Sequence, residues 1–73
     1  MALIDVREDI VAGREPFARI MSAVQGLASD EDLELVAPFE PKPLYDAMAE
    51  RGYTHTTAEE PGGIWRVIFR RAA

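Results

Sequence analysis

The 73-residue chain has no cysteine and a single histidine. Without thiols there is no disulfide framework, no thiolate zinc site and no sulfur nucleophile. A lone imidazole, His55, builds a metal centre only if other ligands gather around it, and the sequence groups none there. Long apolar runs are missing too, since none approaches the roughly 20 residues that span a bilayer. The opening Met1-Ala2-Leu3-Ile4-Asp5 has neither a basic n-region nor a long apolar stretch, so neither a signal peptide nor a membrane partner is expected. Positive charge is scarce: eight Lys+Arg against 13 Asp+Glu leave a net −5. That balance disfavours nucleic acid and anionic membranes, which both need a cationic surface. No cofactor is expected, and the cytoplasm is the expected location.

What the chain does have is the composition of a small globule, 48% hydrophobic and 29% charged, close to the lower size limit for folding without a staple. One domain over residues 1–73 follows. A first strand is expected over residues 3–6, and 7–13 reads as a loop that folds Ile10 and Val11 back onto the core. A helix follows over residues 16–28, its apolar stripe made by Phe17, Ile20, Met21, Val24 and Leu27. Pro16 opens it, where a missing N–H is no loss, and Ser29-Asp30 end it.

Leu33–Ala37 reads as the second strand, with Leu33, Leu35 and Ala37 on one face. Pro38, Pro41 and Pro43 keep the next stretch irregular before a second helix over 43–51, with Gly52 as its left-handed stop. Thr and Tyr enrichment makes 53–57 a strand. Glu60-Pro61-Gly62-Gly63 then turns the chain into a closing strand over 64–70. There Trp65, Val67 and Phe69 lie on one side and Arg66 and Arg70 on the other. The order is β-α-β-α-β-β, an α+β two-layer sandwich with two helices on one sheet face. Pro16-Phe17…Met21 and Pro43-Leu44…Met48 echo each other as two successive βα units.

Leu3-Ile4-Asp5-Val6-Arg7, Arg14-Glu15-Pro16 with Ile20, Leu33-Glu34-Leu35, Pro41-Lys42-Pro43-Leu44 and Trp65-Arg66-Val67, in that order, span nearly the whole chain. Together they resemble the TusA-like (SirA-like) superfamily of small sulfur-relay proteins, and in particular a branch known only as a domain of unknown function. The resemblance implies a mixed four-stranded sheet in the order 1-2-4-3, with strand four antiparallel and central and the Thr-rich strand three at an edge. Sulfur-relay members open their first helix with Cys-Pro-x-Pro, whose cysteine carries a persulfide. Here Pro16 matches the first proline, Glu15 stands at the cysteine and Ala18 at the second proline. A carboxylate carries no persulfide, so the fold is expected without its sulfur chemistry.

Two places qualify as candidate sites. Arg7, Arg14 and Arg19, with Glu15 at the helix start, form a corner that suits a small anion or a partner's carboxylate. The bland alternatives are arginines paired with Glu8, Asp9 or Glu15, and Glu15 as a capping carboxylate rather than a general acid or base. The second place is the sheet face left open by the helices. There Ile64, Ile68 and Val36, flanked by Arg66 and Arg70, suit a protein partner or a second copy in a homodimer. Phe39 and Tyr45 extend a groove toward Pro38. The carboxylates of Asp30, Glu31, Asp32 and Glu34 lack calcium-loop spacing and read as a solvated turn. The expected function is a non-enzymatic binding or protein-interaction module. The alternatives are a sulfur-relay or redox component acting through a partner, and an RNA-contacting domain using Arg66, Arg70 and Arg71.

Overall fold

A computed structural model describes residues 2–28 and 30–72. The expected role of Ser29 in ending a helix lies outside the described residues. The elements are β1 (Ala2–Asp5), α1 (Arg7–Val11), α2 (Phe17–Gln25), β2 (Leu33–Ala37), α3 (Lys42–Glu50), β3 (Tyr53–Glu60) and β4 (Ile64–Arg71).

The four strands form one mixed sheet in the order β1-β2-β4-β3. β1 runs parallel to β2, pairing Ile4 with Leu35, because the chain between them returns through α2. β3 and β4 are antiparallel neighbours joined at Pro61-Gly62-Gly63, where Gly62 and Gly63 take φ of 88° and 74°. β4 lies between β2 and β3, with Val67 facing Leu35 on one side and Thr57 on the other. This central place suits Val67 and Phe69, both wholly buried.

One layer of core joins the sheet to the two longer helices. Ile4, Leu33, Leu35, Val67 and Phe69 from the strands meet Ile20 and Val24 of α2 and Leu44 and Met48 of α3. Both helices therefore cover the same face.

The structure departs from the sequence reading at several bounds: β1 lies one residue early, Pro16 caps α2 from outside and is not its first residue, α3 ends at Glu50 and β4 reaches Arg71. Other differences are larger. The expected loop over 7–13 holds the short helix α1, entered by the Ile10 N–H donating to the Val6 carbonyl. Ile10 is half-buried, but Val11 is 88% exposed and does not pack on the core. α2 stops at Gln25, before 28, because Gly26 caps it and Leu27 donates back only to Val24. α3 starts at Lys42, putting Pro43 in the first turn where its missing N–H costs nothing. β3 runs on to Glu60, since β4 supplies a partner all the way to Ile64.

Candidate functional site

β1 and β2 end side by side, and from their ends the chain leaves toward α2 and α3. Carboxyl ends of parallel strands are where open α/β sheets form ligand crevices. Here the two exits enclose a cavity of about 390 Å³. Its floor is core: Val6, Ile20, Leu35, Ala37 and Leu44. Ile10, Phe17, Phe39 and the rings of Pro16, Pro41 and Pro43 form the walls. Phe17 is 40% exposed and Phe39 44%, an unusual placement for two aromatic rings of so small a protein. Among the described residues, the charged ones in the lining are Arg14 and Glu15. Such a lining suits an apolar group with one polar end.

The arginine corner is divided between two internal carboxylates. Asp9 is 8% exposed. Arg19 Nη1 donates to both of its oxygens at 3.1 Å, and Arg14 Nη2 donates to Oδ1 at 3.4 Å. The hydrogen bond from Arg19 holds the Asp9 carboxyl below its ordinary range, with a smaller contribution from Arg14 and against the opposing effect of burial. Arg7 turns away to Asp5, to which its Nη2 donates at 2.6 Å, and this bond lowers the Asp5 carboxyl likewise. Arg19 Nη1 also donates to the Asp5 carbonyl at 3.2 Å. The structure thus joins Arg14 and Arg19 on Asp9, sets Arg7 and Arg19 beside a second recess next to Asp5, and leaves only Arg14 of the three at the cavity.

Glu15 Oε1 accepts the Phe17 N–H at 3.1 Å, so a carboxylate of the chain itself sits at the start of α2. Among the described residues, no group of three or more His, Asp or Glu could hold a metal ion.

The open sheet face is a lattice of charge pairs between strands. Arg66 Nε donates to Glu60 Oε2 at 3.0 Å and its Nη1 donates to Glu34 Oε2, while Arg70 Nε donates to Asp32 Oδ2 at 3.1 Å. These bonds lower the Glu60 carboxyl and raise the Arg66 guanidinium. Ile64 and Ile68 are half-buried among these pairs and Val36 is buried.

His55 faces the helix layer, its ring stacked on Tyr45 at 3.8 Å between centroids. The Tyr45 hydroxyl lies 2.7 Å from Thr57 Oγ1 and donates to Glu40 Oε2 at 3.4 Å; burial raises its pKa above the ordinary phenol value. Tyr45 is therefore tied to β3 and does not line the cavity, whereas Phe39 does.

The sequence singles out the Arg14-Glu15-Pro16 corner but does not join it to the opposite wall of Phe39, Pro41, Pro43 and Leu44 around the same cavity. The available signal was a proline-rich exit from β2 carrying an unburied phenylalanine. Asp9 was named only as one pairing partner among three.

A family model described as an uncharacterized conserved protein (DUF2249) matches residues 3–71. No curated protein and no solved structure matches the chain.

Proposed function

The chain belongs to the DUF2249 family, and we propose that it is a non-enzymatic binding module whose site is the cavity between the two strand exits. The ligand class is an apolar, aromatic or branched aliphatic group bearing an anionic or hydrogen-bond-accepting end. It is carried either by a small molecule or by a partner protein's side chain. The observation that carries this reading is the lining: a core floor, two exposed phenylalanines, three prolines and a single cation at the mouth. Arg14 is the residue for the polar end, since one 3.4 Å contact to Asp9 occupies only part of a guanidinium with five N–H donors.

The sheet order agrees with the one the TusA-like resemblance implies, which supports that finer kinship. With Glu15 bound to the Phe17 N–H and no thiol in the sequence, a sulfur-relay role would have to run through a partner's sulfur. The RNA reading has less support, because Arg66 and Arg70 already hold carboxylates of the same sheet. A cytoplasmic setting remains part of this proposal; among the described residues no helix is long and apolar enough to cross a membrane.

The test is calorimetric titration with 4-phenylbutyrate, which carries the proposed ring and anion. Saturable binding is expected, weakened about tenfold by Phe39→Ala, which removes one aromatic wall worth on the order of 1–1.5 kcal/mol. Phe39 is outside the buried core, so the variant should keep its unfolding midpoint. The absence of saturable binding at millimolar ligand, or equal binding by the variant, would overturn the proposal.

A further inference from the structure

The edge strand β3 has one side of its backbone without a sheet neighbour. Its register with β4 is unbroken from Tyr53 opposite Arg71 to Glu60 opposite Ile64, so it contains no bulge. Antiparallel neighbours alternate between pairs that exchange backbone hydrogen bonds and pairs that do not. The Ala72 N–H donates to the Gly52 carbonyl at 2.7 Å, one step beyond the last paired residues, which sets the phase. Residues 54, 56, 58 and 60 therefore bond to β4. The N–H and C=O groups of Tyr53, His55, Thr57 and Glu59 point out of the sheet. No backbone group of another segment reaches them among the described residues. The same phase, carried across β4 to β2, leaves residues 32, 34 and 36 facing β1. The observed bonds agree: Val6 N–H donates to Val36 and Ala2 N–H to Asp32.

Natural sheets protect such an edge with charged side chains, above all lysine, or with a proline, a bulge or a short strand. β3 is eight residues long and reads Tyr-Thr-His-Thr-Thr-Ala-Glu-Glu, with no proline, lysine or bulge and with its charges confined to Glu59 and Glu60 at one end. The other edge, β1, is only four residues long.

We propose that two copies of the chain pair antiparallel through β3, making one continuous eight-stranded sheet. The two-fold axis passes at Thr57, so that Thr57 faces Thr57 of the second copy and His55 faces Glu59 twice. This register sets a hydrogen-bond donor beside an acceptor: each imidazole, already fixed by its stack on Tyr45, gains a carboxylate as its cross-strand neighbour. Shifting the axis to Thr56 keeps the backbone phase but sets Glu59 against Tyr53. Both helix layers stay on the same side, because an axis normal to the sheet preserves its faces.

Sedimentation equilibrium from about 10 µM to about 1 mM tests association, with amide hydrogen exchange measured at both ends of that range. The expected result is a reversible dimer and at least tenfold greater protection of the His55, Thr57 and Glu59 amides in the concentrated sample. Glu59→Pro removes an outward N–H without touching the bonds to β4, and Glu59→Lys sets a cation against His55; each should weaken the dimer at least tenfold. The wild-type exchange result stands even if a variant fails to fold. A monomer throughout the range, or a dimer whose new protection lies elsewhere than β3, would overturn the proposal.

Discussion

Asp9 shows how one buried carboxylate organises the corner beside the cavity. It lies on α1, and Arg14 and Arg19 reach it from the following loop and from α2, so three segments meet on one side chain. Its lowered pKa gives the interaction a definite pH dependence. The unfolded chain takes up its proton near the ordinary aspartate value of about 3.9, whereas the folded chain does so only at lower pH. Stability from this group is thus complete above the unfolded value and is lost as pH falls through the folded one. Asp5 and Glu60, lowered by Arg7 and Arg66, act in the same direction. Melting curves from pH 7 to pH 2 should show a midpoint that falls below about pH 4. Asp9→Asn should melt lower at pH 7 and have a shallower acid limb; an unchanged acid limb would show that Asp9 contributes nothing to it.

At the scale of elements, α3 depends on how it ends. Gly52 takes φ 86° and donates its N–H to Ala49, a left-handed stop that lets the chain turn into β3. Gly52→Ala should cost about 1–2 kcal/mol, the penalty for an L-residue in that conformation, read as a shift in the urea midpoint. Gly26→Ala is the control: its φ is −87° and an added Cβ would meet Ala23 O at an ordinary 3.6 Å, so stability should hold or rise slightly.

Elements with a strong local pattern were legible in the sequence. β2 alternates Leu33, Leu35 and Ala37, and its bounds match the expectation residue for residue. α1 was not legible, because Arg7-Glu8-Asp9-Ile10-Val11 has no apolar stripe. What holds it is the pairing of Asp9 with residues five and ten positions away. The last three residues of β3 were equally hidden: Ala58, Glu59 and Glu60 have little strand propensity and extend the strand because β4 lies beside them.

At the scale of the molecule, the cavity follows from one topological choice. Setting β1 parallel to β2 brings both strand exits to the same end of the sheet. The turn before α2 then faces the proline-rich turn before α3 across a gap floored by core side chains. Half of the lining of that cavity, Arg14-Glu15-Pro16, carries a visible sequence motif. The other half becomes part of it only once strand adjacency is known, which is why Phe39 was read as a groove extension and not as a wall. The open sheet face has Arg66 and Arg70 held by carboxylates of the same sheet, whereas the cavity sets two exposed phenylalanines around a recess.

The most direct measurement of that assignment is a set of intermolecular nuclear Overhauser effects between bound 4-phenylbutyrate and methyl-labelled protein. The aromatic protons of the ligand should show contacts to the methyls of Val6, Ile10, Ala37 and Leu44, which line the cavity. Contacts to Ile64 and Ile68 on the opposite sheet face, or none at saturation, would contradict it.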